Sequence, residues 1–176
     1  MSDAINLTSN LPTVIERLEQ IARQVDDMRP AYAMIGEVLT ESTKERFDTS
    51  TSPDGARWAP LAEETVLGRL AEISGVYTKK KSGKLSKKGQ RAVMGMRPLV
   101  DSGILQDTIA WQADATSAQI GTNRFAGEWD GGAAVHQFGN RDGTIPARPF
   151  LGVSPQDETT ILEILAGFLR STTGAE

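Results

Sequence analysis

The feature that most constrains the fold is a short segment near the end of the chain, IPARPF at 145–150, in which two prolines bracket Ala147 and Arg148. Proline fixes its own φ and pushes the residue before it toward extended geometry. The sequence therefore predicts a stiff, extended connection that presents Arg148 at its tip. Such stiffness suits docking better than chemistry, because no set of acid, base and nucleophile lies nearby in the sequence.

The composition indicates one folded domain over 1–176 and excludes several kinds of site. Of 176 residues, 39% are hydrophobic and 24% are charged, which is enough for a sizeable core. Cysteine is absent and histidine occurs once, so disulfides and zinc sites are not expected, and no cofactor is predicted. The N-terminus lacks the pattern of a secretory signal and no apolar run has the length of a membrane span, so we expect a cytosolic chain without membrane contact.

A lysine-rich stretch interrupts the chain at 79–91, with Leu85 as its one sizeable apolar residue. Low hydrophobicity and repulsion between like charges predict a mobile loop or insertion over 74–97. An alternative is contact with DNA or an acidic partner, although a net charge of −4 gives the whole chain no attraction to nucleic acid. The candidate contact residues are Lys79, Lys80, Lys81, Lys84, Lys87, Lys88 and Arg91.

Helical periodicity dominates the first half of the chain. Apolar residues recur at steps of three and four over 11–25, and again over 30–47 after Pro30, where Met34 and Ile35 are predicted to face inward and Glu37, Glu41 and Lys44 outward. A turn around Pro53 precedes Trp58, and a further helix is predicted over 60–73.

Strand signals follow, and a helix closes the chain. Ser154 is the predicted cap of the last helix and Pro155 lies in its first turn. The order predicts an α+β fold in which a small antiparallel sheet of about four strands packs against N-terminal and C-terminal amphipathic helices. The predicted strands are 104–111, 117–122, 133–138 and 150–154, and Ala113–Ala115 is the predicted hairpin turn between the first two.

Two single residues allow two interpretations each. Trp58 either anchors a loop onto the domain or contacts another subunit, since tryptophan contributes strongly to cores and to interfaces. His136, on the predicted third strand, is more typical of a hydrogen-bonded structural residue than of a catalyst, because acid–base catalysis requires a positioned partner. The scattered aspartates Asp101, Asp107, Asp130 and Asp142 match no calcium-loop spacing, so no metal site is predicted.

A resemblance emerges when four pieces are taken together and in order: SPDGARWAPL, LVDSGILQDTIAW, AVHQFGN and IPARPFLGVS. With the amphipathic helix that follows, they resemble the Mu-like phage virion morphogenesis family, which comprises tail completion and tail-terminator proteins of tailed bacteriophages. The resemblance covers about 31–170, and HQFG and PARPFLG are its most specific parts. The lysine-rich region departs from the short family pattern, which leaves its role open.

The resemblance implies a structural protein of the phage neck rather than an enzyme. Such a protein caps the finished tail tube and helps to join it to the filled head, as a homo-oligomeric ring that is often sixfold. The implied partners are the tail tube protein and the head–tail connector proteins, and the implied location is the virion, after assembly in the host cytoplasm. Two alternatives remain: another connector or head-completion protein, and a packaging accessory that contacts DNA through 79–91.

A ring that closes head to tail must present two different patches on each subunit. We expect Arg148 to pair with an acidic group of the neighbouring subunit, so that its replacement by alanine weakens the ring without lowering the thermal midpoint of the monomer. Phe150 and Leu151 either anchor into the sheet or the adjoining chain, or are core residues of a strand. The predicted interface residues are Trp58, His136, Phe138, Arg148, Phe150 and Leu151.

Overall fold

The structure is a computed structural model that describes residues 15, 16, 19, 22, 26–78, 83–124 and 132–173. Helices and one two-stranded antiparallel sheet confirm the α+β class. The elements are α1 (Arg29–Thr49), α2 (Glu63–Ala71), α3 (Lys87–Gly95), α4 (Ile104–Asp107), β1 (Ile109–Ala113), β2 (Ala118–Thr122), α5 (Gly132–Phe138) and α6 (Pro155–Thr173).

The long helix α1 is the element on which the hairpin and the C-terminal helix pack. Pro30 lies in its first turn, where a missing amide N–H costs nothing, and the periodic apolar residues Ala31, Ile35 and Leu39 are buried as predicted. Met34 was predicted to face inward, but this is wrong because its side chain is 51% exposed. The C-terminal helix α6 packs against α1, whereas the hairpin of β1 and β2 covers another part of it.

The β-hairpin forms where the sequence predicted its turn. β1 and β2 pair antiparallel, with Trp111 opposite Ile120, and Asp114 accepts the backbone N–H groups of Thr116 and Ser117 at 2.7 and 2.8 Å. These hydrogen bonds, with those from the Thr116 and Ser117 hydroxyls, lower the pKa of Asp114 to about 2. The carboxylate thus fixes the turn in place of a glycine.

The hairpin approaches α1 closely at one glycine. A Cβ atom built on Gly36 would lie 2.7 Å from Cδ2 of Trp111, so only glycine lets the indole ring reach the helix backbone. The core continues from this contact to a cluster of four buried residues: Phe47, Trp58, Ile109 and Phe150. Within it, the Phe47 and Trp58 rings meet edge to face at 5.5 Å, and the Phe47 and Phe150 rings lie 5.4 Å apart.

Two of the four predicted strands do not exist, and the first is shorter than predicted. Residues 133–138 lie in helix α5, residues 150–154 are irregular, and 104–107 form the short helix α4 before β1 begins at Ile109. The alternation of small and apolar residues at 133–138 resembles a strand, but the described residues provide no strand that pairs with it. Backbone hydrogen bonds within one short helix satisfy those peptide groups instead.

Part of the lysine-rich segment is regular structure. The sequence predicted a mobile loop over 74–97, yet 87–95 form α3, whose N-terminus is capped by the Ser86 hydroxyl accepting from the Gly89 N–H at 3.2 Å. Before it, Tyr77 and Leu85 form an antiparallel bridge. Lys79, Lys80 and Lys81 lie outside the described residues, and whether the segment is mobile stays a prediction. Most of the helix predicted over 11–25 also lies outside them.

The closing helix is confirmed with its cap. The N–H of Asp157 donates to the Ser154 hydroxyl at 3.1 Å, and Asp157 in turn accepts the N–H of Ser154 at 2.8 Å. This reciprocal arrangement starts α6 at Pro155. None of the described helices combines the length and the apolar composition needed to cross a membrane.

The Gly36–Trp111 contact gives a stability test. Replacing Gly36 with alanine should lower the free energy of unfolding by about 1–3 kcal/mol, because the new methyl group overlaps the indole ring. Urea denaturation of the purified chain measures this. The matched control is Gly68→Ala within α2, where nothing lies within 4 Å of the built Cβ, and which should be neutral or stabilising. Equal effects of the two substitutions would contradict the packing described.

Candidate interface site

The proline segment and the residues after it, 145–152, form a strap across the domain that is held by a buried arginine. Nη1 of Arg46 donates to the carbonyl oxygens of Phe150 and Gly152 at 3.0 and 2.9 Å. Nη2 donates to Asp157 Oδ2 at 2.6 Å, and the two side chains of this ion pair are only 6% and 5% exposed. One guanidinium therefore joins α1, the strap and α6.

Burial and pairing act in opposite directions on these two charges. Burial lowers the pKa of Arg46, against the nearby carboxylate of Asp157, which raises it. Burial alone would raise the pKa of Asp157, but hydrogen bonds from Ser154 and Ser42 and the charge of Arg46 hold that pKa below its ordinary value. Both groups are therefore charged at neutral pH, and each neutralises the other where water does not reach.

The side chain of Gln137 forms backbone hydrogen bonds of the kind that a neighbouring strand would provide. Its Oε1 accepts the backbone N–H groups of Phe150 and Leu151, both at 3.0 Å, and its Nε2 donates to the Leu151 carbonyl at 2.9 Å. Beside it, the Arg148 N–H donates to the His136 carbonyl at 2.7 Å. Helix α5 thus satisfies the peptide groups of the strap from one side.

The other side of the strap is held by the loop that precedes α2. Nε and Nη2 of Arg148 donate to the carbonyl oxygens of Ala59 and Pro60, each at 2.8 Å, and burial lowers the pKa of Arg148. In return, Nε1 of Trp58 donates to the Pro149 carbonyl at 2.9 Å. The Arg148 side chain thus reaches from the strap to the loop, and the Trp58 side chain reaches from the loop to the strap. Hydrogen bonds in both directions join the two segments.

The bend before the strap requires glycine. Gly139 has a φ of +78°, and a Cβ built on it would lie 3.1 Å from the Ile145 carbonyl oxygen and from the Ala147 nitrogen. Asn140 closes the loop by accepting the Ile145 N–H at 2.8 Å. Within HQFGN, helix α5 therefore ends at Phe138, Gly139 forms a left-handed turn, and the Asn140 side chain closes the loop.

The structure separates the predicted interface residues into a buried group and an exposed one. Arg148 is 7% exposed, so the prediction that the strap presents it outward is wrong: its hydrogen bonds to two carbonyls keep it inside. Trp58 and Phe150 are buried in the core, and Leu151 packs against that core. Phe138, at the end of α5, is 78% exposed.

His136 lies on α5 and not on a strand, so that prediction is corrected with the strand itself. Its carbonyl oxygen accepts the Arg148 N–H, and the residue lines a cleft of 380 Å³. Arg69 and Arg148 line the same cleft. Arg69 is already paired with Asp101 at 3.1 Å, whereas Arg148 forms no ion pair among the described residues.

The described lysines and Arg91 are separate from the strap. Lys84, Lys87, Lys88 and Arg91 are all exposed, and the last three lie on α3. Nζ of Lys88 donates to the Ser74 carbonyl at 2.7 Å. Within the described ranges, no three histidine or acidic side chains come together as a metal site would require.

Sequence reasoning missed the three residues that hold the strap: Arg46, Gln137 and Asp157. Arg46 carries a weak signal, because it interrupts the apolar face of α1 directly before Phe47. Asp157 follows Ser154 at capping-box spacing, which predicts a cap but not an ion pair. For Gln137 the sequence carries no signal.

Comparison with known proteins identifies what this chain is similar to. The model of the phage virion morphogenesis family matches residues 9–170. The Mu-like prophage FluMu G protein 2 of Haemophilus influenzae is 40% identical over 78 residues, which cover 42% of this chain and 52% of that protein. The match thus spans about half the length of that curated relative. No solved structure matches the chain.

The Arg46–Asp157 pair predicts a dependence of stability on pH. Because its folded pKa is depressed, Asp157 adds stability that is present above the ordinary carboxyl pKa of about 3.9 and is lost as the pH falls through the folded value. Asp157→Asn should lower the free energy of unfolding at pH 7 by about 3–5 kcal/mol, since it leaves Arg46 buried without a countercharge.

Urea denaturation of wild type and Asp157→Asn between pH 7 and pH 2 measures this effect. The difference between the two proteins should shrink as the carboxyl group of the wild type is protonated. Glu163→Gln, at an exposed position of the same helix, is the control and should follow the wild type throughout. A difference that stays constant across the whole range would contradict the assignment.

The hydrogen bonds of the Arg148 side chain predict an effect on the monomer itself. Arg148→Ala should reduce the free energy of unfolding by about 1.5–3 kcal/mol and so lower the thermal midpoint, because two partly buried hydrogen bonds from a charged donor are lost. Differential scanning calorimetry measures the midpoint. Arg141→Ala, at an exposed position of the preceding loop, should leave it unchanged. An unaltered midpoint in Arg148→Ala would restore the outward-facing role expected from the sequence.

Proposed function

The chain belongs to the phage virion morphogenesis family, and from that premise we propose that it is the tail completion or tail-terminator protein of the phage neck. In this role it caps the finished tail tube and supports the joining of tail and filled head. It acts as a structural protein and not as an enzyme. The observation that carries the proposal is the family match over 9–170, which includes the whole strap and the residues that hold it.

The geometry supports a role in which shape matters more than chemistry. The strap is held from three directions, by Arg46, by Gln137 and by the loop at 58–60. A surface with so many internal hydrogen bonds keeps one form whether or not a partner is present. Subunits that close a ring need such a surface, because a small error in angle at each contact accumulates around the ring.

We propose that the subunits associate as a homo-oligomeric ring, most simply a hexamer, between the tail tube protein and the head–tail connector proteins. Phe138 is suited to an interface because its ring is 78% exposed at the end of a helix. Arg148 lies on the wall of the 380 Å³ cleft and fixes its shape, because two hydrogen bonds hold its guanidinium to the loop at 58–60. Buried Trp58 and Phe150 support this surface from within.

Loss of the protein should stop assembly at the junction. A phage or prophage in which this chain is not produced should yield filled heads and separate tails, visible by negative-stain electron microscopy of the lysate, and supplying the chain in trans should restore whole virions. An antibody against an epitope tag on the chain should label the neck of the restored particles. Intact virions that lack the chain, or label confined to the far end of the tail or to the head shell, would contradict the proposal.

A further inference from the structure

One exposed side of α1 carries a row of carboxylates. Glu37, Glu41 and Glu45 are all exposed and follow one another at intervals of four residues, which places them about 6 Å apart along the helix axis. Met34 lies on the same side and is 51% exposed. We call these four residues the acidic face of α1.

The carboxylates of this row are not engaged in close ion pairs within the described part of the chain. None of the three carboxylates forms an ion pair, and Lys44, half-buried on the same side of the helix, forms none either. Only Asp48, at the end of the helix, is paired, with Arg97 at 2.8 Å. Like charges four residues apart destabilise a helix, so cations placed along this face would relieve repulsion among the carboxylates.

The exposed side of α3 has the opposite charge and the same spacing. Lys87 and Arg91 lie four residues apart, both are exposed, and neither forms an ion pair among the described residues. Met94 lies on the same side and is 85% exposed. α3 contains no acidic residue. We call Lys87, Arg91 and Met94 the basic face of α3.

We propose that the acidic face of α1 in one copy of this chain docks on the basic face of α3 in the next copy. The two cations then lie opposite two of the three carboxylates, because residues four apart form the same ridge on both helices. The exposed methionines supply an adaptable apolar contact at the edges of the charged rows. This inference rests on the proposed function, and it identifies the contact that joins neighbouring subunits of the ring.

The arrangement is compatible with a head-to-tail ring. Each copy has one acidic face and one basic face on different helices, so a contact that uses one face of each copy leaves a free face at each end until the ring closes. Complementary charge also steers the copies into one register and excludes contacts between like faces. Binding of DNA by the basic face would leave the acidic face, with its exposed carboxylates and methionine, without a role.

Charge reversal with rescue tests this contact in the full-length chain. The acid-reversal variant carries Glu37→Lys and Glu41→Lys, and the base-reversal variant carries Lys87→Glu and Arg91→Glu. Size-exclusion chromatography with light scattering is run in about 30 mM and about 500 mM sodium chloride, where surface charges are weakly and strongly screened. The wild type should associate at low salt and dissociate as salt rises, and each variant alone should associate at least about tenfold more weakly.

Mixing the two variants should restore association, because each then offers the other a complementary face. The matched control, Glu72→Lys with Glu163→Lys, changes net charge as the acid-reversal variant does, but on α6 and the end of α2, and should associate like the wild type. Circular dichroism melts confirm that each variant is folded.

Four results would overturn the inference: a wild type that is monomeric at low salt, a variant that associates normally, a control that is weakened equally, or a mixture without rescue. A gel shift with double-stranded DNA is run alongside. If base reversal abolishes DNA binding and leaves association intact, the basic face is a nucleic-acid site and the inference is wrong. Labelling of the neck in restored virions is a separate experiment and does not depend on this contact. It tests the proposed function, whereas the association measurements test the contact between the two faces.

Discussion

The buried ion pair between Arg46 and Asp157 determines how the two ends of the described chain meet. Arg46 leaves α1 inside the domain, and its guanidinium can be buried only because a carboxylate and two carbonyl oxygens surround it. Asp157 is held ready for it by the cap of α6. The same guanidinium holds two carbonyl oxygens of the strap, so the position of the strap follows from where the two charges meet.

The strap shows how a chain can satisfy extended backbone without a sheet. Its peptide groups are bonded to the Gln137 amide, to the Arg46 guanidinium and to the indole N–H of Trp58. Two prolines reduce the number of N–H groups that need a partner and restrict the unfolded chain as well. A strand in a sheet would present a free edge to other chains, whereas the strap presents none of these groups for pairing.

In this member of the phage virion morphogenesis family, the residues that fix the position of the strap are buried, and they differ from the exposed residues that a partner could contact. Trp58, Arg148 and Phe150 lie inside and fix the surface, while Phe138 and the two charged faces remain outside. Buried arginine and aromatic side chains resemble interface residues in the sequence because both settings favour the same residue types. Burial in the folded chain distinguishes them.

The sequence by itself determined the α+β class, helix α1 after Pro30, the hairpin with its turn at Asp114, and helix α6 with its Ser154 cap. Each of these depends on residues that are close together in the chain, and local periodicity and capping report on such residues. Only the tertiary structure decided that 133–138 form a helix, that Arg148 points inward, and that Gln137 holds the strap. Those outcomes depend on partners such as Ala59, Pro60 and Leu151, which lie far from them in the sequence or across a loop and leave no periodic signal.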